Sequence, residues 1–331
     1  MTRTSVGHFV SEQARTKFLA AYDRAMELWP GPRQELDVET AYGSVHVHRY
    51  GAATGEPVVL LHGHAGHPSN WYPQVAALGE HHPVYAVDTL DDPGRSVQRI
   101  VAAGSAENAE WLDEVLAGLG LERVHLVGVS YGGWLALNQA VHAPGRLASV
   151  TSLDPGGIEK VPARFYLHMV AGLFGMLAPR PLRPAVGRLL ANPALSAPRE
   201  MIAPLMLAMR SYKPNSRPPA RPFTDGELGA IALPVLVLVG RRSALLRPKR
   251  VVERVTALIA GVRAETVERA GHGLNLERPD VVNERLLAFI GSAAPGGAQR
   301  DRASKDRSTA SQVAASSSEV TAAETNQQAM P

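Results

Sequence analysis

The apolar positions of this chain change period along its length, and each period predicts a different element. Residues 9–28 set Phe9, Phe18, Leu19, Tyr22, Met26 and Leu28 on one loose face, the spacing of an amphipathic helix. Trp29-Pro30-Gly31-Pro32 stops it. Two runs follow at about 36–41 and 45–50, joined by Tyr42-Gly43-Ser44. The alternation in Val45-His46-Val47-His48 predicts a half-exposed edge hairpin. From Pro57 the alternation ends. Val58–Leu61, Val84–Val87, Val124–Val129 and Val235–Val239 are short unbroken apolar runs, the pattern of strands buried on both faces. Helical stretches such as Ala106–Leu119 separate them. A last strand near Glu265–Glu268 and a helix over 278–290 close the series. The expected result is an α/β fold, a mostly parallel sheet flanked by helices.

Residues 155–231 break this rhythm. They are rich in Pro, Arg, Leu and Met, contain no convincing strand, and read as a helical lid inserted after the sixth sheet strand. Met169, Met176, Met201, Met206 and Met209 fall on its helices. Such methionines ordinarily fill core, although flexible thioethers also suit an accommodating apolar binding wall. From Ser292 to Pro331 there is no aromatic residue and little that is apolar beyond alanine, so this stretch is expected to be a disordered tail. The chain thus divides into an N-terminal helix and linker (1–35), a first core part (36–154), the lid (155–231), a second core part (232–291) and the tail (292–331).

Composition narrows the function classes. A chain of 331 residues holds one large α/β domain or two small ones. The absence of cysteine excludes disulfides, a thiol nucleophile and thiolate metal sites. The net charge of +3 comes without any basic block interleaved with aromatics, so no nucleic-acid partner is expected. The longest apolar stretch, Phe165–Pro179, is too short to span a bilayer, and Met1–His8 lacks an apolar signal region. A cytoplasmic protein with no membrane partner is expected. Oligomeric state is open.

The chemistry centres on Gly128-Val129-Ser130-Tyr131-Gly132, a G-x-S-x-G pentapeptide between a buried strand and a helix. That context predicts a nucleophile elbow, with the serine exposed at the top of a sheet. Alone, the pentapeptide would also suit an ordinary strand-to-helix turn. A serine hydroxyl needs a base, a group that orients the base, and donors for the oxyanion. His272, in Ala270-Gly271-His272-Gly273, follows the last strand and is the candidate base. The loop Leu61-His62-Gly63-His64 ends the first apolar strand, so the backbone N–H groups of His64 and Tyr131 are the candidate oxyanion donors. His62-x-His64-x-x-His67 also has a metal-like look. No carboxylate accompanies it and the His-Gly pair has a sufficient backbone role, so no metal and no other cofactor is expected.

These motifs resemble the α/β-hydrolase superfamily, in its naproxen-esterase-like carboxylesterase branch. The likeness runs through Leu28-Trp29-Pro30, Val58-Val59-Leu60-Leu61-His62-Gly63, Trp71-Tyr72-Pro73 and Tyr85-Ala86-Val87-Asp88. It continues through the elbow, Phe223-Thr224-Asp225-Gly226-Glu227-Leu228, Ala270-Gly271-His272 and Val282-Asn283-Glu284-Arg285. It implies an α/β-hydrolase fold and a serine hydrolase that cleaves a small carboxylic ester through an acyl-enzyme on Ser130.

One departure stands out. The superfamily usually carries its triad acid after the strand that is here Val235–Val239, yet Gly240-Arg241-Arg242-Ser243 puts Ser243 in that place. Some branches carry the acid one strand earlier. Asp154, in Ser152-Leu153-Asp154-Pro155, then completes the order Ser130, Asp154, His272. Its other reading is a cap of the turn before Pro155. If neither position supplied an acid, the chain would be a weak or inert ligand-binding relative. Asp88, in a loop of Asp, Pro and Gly, reads as a structural acid.

Overall fold

The computed structural model describes residues 5–215 and 220–293. By internal contacts the chain divides into a unit ending at Leu287 and a second beginning at Ala288. The first holds the sheet and every site discussed below. Of the second, only the end of the last helix is described, so the expectation of a disordered tail lies outside the described residues apart from Ser292 and Ala293, which belong to that helix.

The elements run β1 (His8–Phe9), α1 (Glu12–Met26), β2 (Gln34–Thr40), β3 (Gly43–Gly51), β4 (Val58–Leu61), α2 (Tyr72–Gly79), β5 (Pro83–Val87) and β6 (Val97–Gln98). Then come α3 (Ser105–Gly118), β7 (Val124–Val129), α4 (Tyr131–His142), β8 (Leu147–Leu153), α5 (Ala163–Gly175), α6 (Arg183–Leu190), α7 (Arg199–Ser211) and β9 (Tyr212–Lys213). The chain continues through α8 (Asp225–Gly229), β10 (Val235–Gly240), α9 (Pro248–Leu258), β11 (Arg263–Val267), α10 (Leu274–Glu277) and α11 (Pro279–Ala293).

The main sheet has the order β11-β10-β8-β7-β4-β5-β3-β2, with β6 paired to β3. Every contact from β11 to β5 is parallel, and β3 runs antiparallel to both β5 and β2. Every residue of β4, β7, β8 and β10 is buried. That is why their sequences read as unbroken apolar runs: parallel strands covered by helices have no solvent face.

Two expectations need correction. The hairpin lies at the sheet edge, but β3 itself is interior, flanked by β2 and β5. His46 and His48 are buried, because Tyr22 of α1 and Trp29 cover the His48 ring and His48 in turn packs against His46, and within the hairpin only β2 keeps an exposed face. Alternating histidine and valine looks half-exposed because histidine counts as polar; here the rings are packed inward. The first helix also starts later than its periodicity predicts. Ser11 Oγ accepts the Ala14 N–H at 3.2 Å and caps α1. Phe9 is left in β1, which pairs with β9 in the insert, and its ring packs against Phe18 and Tyr212. That short pairing also gives the 155–231 stretch a strand that its composition does not announce.

Among the described residues no helix is long and apolar enough to cross a membrane.

Candidate active site

Ser130 caps α4 with φ 56° and ψ −112°, a backbone shape rarely taken by a residue with a Cβ. The turn that imposes it depends on close approach of backbone to backbone. A Cβ on Gly128 would lie 2.0 Å from the Gly132 carbonyl oxygen, and one on Gly132 would lie 2.1 Å from the Leu61 oxygen. Strand β7, helix α4 and strand β4 therefore meet with no room for side chains, and Ser130 is lifted above them. Its backbone is held on both sides: the N–H donates to Leu153 O, and the carbonyl accepts from Trp134 and Gly156.

His272 lies on the loop between β11 and α10. Its Nε2 is 2.9 Å from Ser130 Oγ, and its Nδ1 is 2.6 Å from Asp154 Oδ2. Asp154 closes β8, is fully buried, and has a positive φ of 43°. Gly240 N–H donates to its Oδ1 at 3.1 Å, and Ser243 Oγ donates to its Oδ2 at 2.6 Å. The serine in the place of the usual acid thus supports the carboxylate that comes from one strand away. The adjacent parallel register of β8 and β10 puts the two strand ends side by side, so either can reach the histidine loop.

The loop after β4 borders Ser130: a Cβ on Gly63 would sit 3.2 Å from Ser130 Cβ. Asp92 shapes this loop by accepting the Ala65 N–H at 3.0 Å, with His64 Nδ1 2.9 Å from the same oxygen. His62 Nδ1 donates to Gly63 O, and its Nε2 accepts from the Thr89 N–H, while His67 bonds Ser69 Oγ. His62, His64 and His67 are each engaged in this local hydrogen bonding rather than turned on a common point. Tyr131 opens α4 directly after the serine, so its N–H sits at the positive end of that helix. Its hydroxyl donates to Asp91 Oδ2. Asp88 is not among the partners of Ser130, His272 or Asp154. Its carboxylate accepts the Arg95 N–H at 2.6 Å within its own loop, and burial raises its pKa.

Above Ser130 and His272 opens a cavity of about 410 Å³, walled mostly by apolar side chains of the insert. All five methionines singled out in the sequence line it. Met201 is buried, but Met169 and Met209 remain more than half exposed, so these residues form a wall rather than plain core.

Periodicity did not single out several further residues. Phe165 sets its ring edge against His272 with centroids 5.2 Å apart, and His168, one turn on, lines the cavity. Burial and then the charge of His272 lower the pKa of His168. The i, i+3 spacing of Phe165 and His168 on α5 was the available signal. Glu277 is less visible. Its carboxylate accepts the Gly271 N–H beside His272, and burial raises its pKa. Gln74 of α2 donates to Asn275 O and Asn275 to Asn70 O, tying α10, which follows the histidine loop, to α2 and to the loop after β4.

A sequence model of the alpha/beta hydrolase family matches residues 58–285, which contain Ser130, Asp154 and His272. The chain belongs to the alpha/beta hydrolase family. Among the relatives of this hydrolase-family chain is carboxylesterase YbfK of Bacillus subtilis strain 168. It is 32% identical over 288 residues, covering 85% of this chain and 96% of the relative. A second protein of that organism, described as the uncharacterized carboxylesterase nap, is 28% identical over 83% of this chain and 92% of its own. The crystal structure of B. subtilis carboxylesterase CesB (YbfK) superposes with a TM-score of 0.74 at 29% identity, over 84% of this chain and 98% of that one. That of B. subtilis naproxen esterase gives 0.75 at 25% identity, over 85% and 99%. The resemblance to naproxen-esterase-like carboxylesterases, carried in the sequence by the elbow and its flanking motifs, is borne out.

Proposed function

We propose that this hydrolase cleaves carboxylic esters through an acyl-enzyme on Ser130. The observation that carries the reading is the chain of contacts Ser130 Oγ, His272 Nε2, His272 Nδ1, Asp154 Oδ2 at the floor of an apolar cavity. Similarity to carboxylesterases supports the ester bond as the target.

In this mechanism Ser130 Oγ attacks the ester carbonyl carbon while His272 Nε2 takes its proton. Asp154 accepts the Nδ1–H, which fixes the ring's tautomer and stabilises the imidazolium as it forms. The backbone N–H groups of His64 and Tyr131 receive the oxyanion. The tetrahedral intermediate then expels the alcohol, which leaves with the proton from His272. Water attacks the acyl-enzyme with His272 as base, releasing the carboxylic acid and restoring Ser130. Neither half-reaction calls on a cofactor. The methionine wall supports an ester carrying one apolar group of moderate bulk, because thioether side chains adapt to varied shapes.

The inert ligand-binding alternative rested on the acid missing at Ser243. With the Asp154 carboxylate against His272, that observation no longer favours it. The test is covalent labelling with a fluorophosphonate alongside hydrolysis of p-nitrophenyl esters of graded acyl length. The wild-type chain is expected to label and turn over, and Ser130→Ala to do neither while keeping its circular dichroism. Full labelling of Ser130→Ala would place the nucleophile elsewhere.

A further inference from the structure

The β2–β3 hairpin turns three metal-ligating side chains on one another, away from the active site. In the antiparallel register Glu35 stands opposite His48, and Asp37 opposite His46. Two positions apart on each strand, the four side chains share one face of the sheet. His46 Nε2 lies 3.8 Å from Glu35 Oε2, and His48 Nδ1 lies 3.9 Å from Glu35 Oε1. Both nitrogens are buried without a hydrogen-bond partner. The rings themselves are only 5% and 1% exposed.

The far side of each ring fixes which atom carries the lone pair. His46 Nδ1 lies 2.7 Å from Asp37 Oδ1, an acceptor, so Nδ1 holds the proton and Nε2 is bare toward Glu35. His48 Nε2 lies 2.8 Å from the Tyr22 hydroxyl, whose oxygen accepts a ring proton carried on Nε2. Nε2 of His48 is then the donor, and its Nδ1 is also bare toward Glu35. Two imidazole lone pairs and one carboxylate therefore face a common point. Such a set of donor atoms suits a cation.

We infer that Glu35, His46 and His48 form a binding site for a divalent transition-metal ion of the zinc class. A tetrahedral ion with ligands at ~2.0–2.2 Å sets its ligand atoms ~3.3–3.6 Å apart, so the three side chains, whose ligand atoms lie within 4.8 Å of one another, close in on binding. The mixed nitrogen and oxygen donors suit zinc and its neighbours better than calcium or magnesium, which take oxygen. Asp37 and Tyr22 play the part that outer carboxylates and hydroxyls play at histidine metal sites, orienting the rings and setting their tautomers. Arg33 stands nearest in competition, with Nη2 3.8 Å from Glu35 Oε1, too long for a charge-assisted hydrogen bond, and its Nη1 is already given to Met26 O. Tyr22 belongs to α1, so its bond to His48 links that helix to the hairpin. The sequence alone predicts no metal site. Glu35 and His46 lie on opposite sides of a turn, and only the strand register joins them.

The experiment uses the full, tag-free chain, stripped with a chelator and titrated with Zn²⁺ by calorimetry. Its melting temperature is followed in parallel, and Co²⁺ serves as a spectroscopic stand-in. One Zn²⁺ is expected per chain, with a rise in Tm of a few degrees at saturation and visible Co²⁺ absorption of a nitrogen–oxygen site. Glu35→Gln changes a half-exposed side chain, so it removes a ligand without disturbing the packing. It and His46→Gln are each expected to weaken binding by ~10–100-fold and to abolish the Tm rise. Ester hydrolysis by the stripped Glu35→Gln chain is expected to match that of the stripped wild type. Failure of the wild type to bind below about 100 μM Zn²⁺ overturns the proposal. So does equal binding by wild type and both variants, which would put the ion on other histidines, such as His168 and His272.

Discussion

Asp154 and Ser243 meet in one buried hydrogen bond, although they come from the ends of two different strands. Asp154 is buried with three partners: Gly240 N–H, the Ser243 hydroxyl and the His272 ring. If it orients His272, Asp154→Asn keeps the shape but permits the wrong tautomer. In a serine protease that change costs about 10⁴ in kcat, and a loss of that order is expected here in ester hydrolysis. Read from sequence alone, Ser243→Ala should cost little, and Ser243→Asp should restore the superfamily's usual acid. The hydrogen bonds of Ser243 change the first expectation. The hydroxyl donates to a buried carboxylate and also accepts the Leu246 N–H. Hydrogen bonds to charged groups contribute ~1.5–3 kcal/mol, so Ser243→Ala is expected to lower kcat/KM by ~10-fold or more and to lower Tm. Ser243→Asp alone would set a second carboxylate against Asp154 and is expected to lower activity, whereas combined with Asp154→Asn it leaves one carboxylate beside the histidine loop and is expected to restore part of the lost activity. Steady-state kinetics on the single and double variants decide this.

Among the elements, β4, β7 and α4 form the unit that presents the serine. Their mutual approach is set by Gly128 and Gly132, whose absent side chains let backbones touch. Gly132→Ala would drive a methyl group into the Leu61 and His62 carbonyls, which cannot move without breaking the β4–β7 ladder. Overpacking in a well-filled core costs ~1–3 kcal/mol, and more where the obstacle is backbone. The variant is expected to lose at least that much stability in urea unfolding and to lose fluorophosphonate labelling. Equal stability would mean that α4 is free to shift. The insert contributes differently: α5 and α7 bring methionine, Phe165 and His168 to the cavity without adding a long strand to the sheet.

For the whole molecule, the buried histidines tie stability to pH. His67 is fully buried, and desolvation, followed by the charge of His62, pushes its pKa down to about 3. In the unfolded chain a histidine titrates near ~6.5. Between those values the unfolded state binds a proton that the folded state refuses. The contribution is therefore fully present above ~6.5 and is lost as pH falls toward 3, by up to ~1.4 kcal/mol per pH unit. His67→Gln removes that proton uptake. Its urea midpoint is expected to fall less steeply than that of wild type between pH 6.5 and 4, and parallel curves would mean that His67 takes its proton in the folded state.

Much of this was legible in the sequence because it depends on local rules. Unbroken apolar runs follow from burial on both faces of a parallel strand, and the elbow's glycines follow from backbone contact within a few residues. Ser130 and His272 could be named because each sits at a strand end where the chain must turn. What the sequence left open was decided by pairing between distant segments. The parallel register of β8 and β10 brings Asp154 and Ser243 together, although 89 residues separate them. The packing of Tyr22 and Trp29 on that face buries His46 and His48, where their alternation suggested a half-exposed edge. Whether a methionine of the insert is core or cavity wall depends on which face α5 and α7 turn to the serine, and helical period specifies a face without specifying its neighbour. Local stereochemistry and hydrophobic burial are properties of a short segment, so the sequence determines them. The company a side chain keeps is a property of the register between segments, and only the tertiary structure decides it.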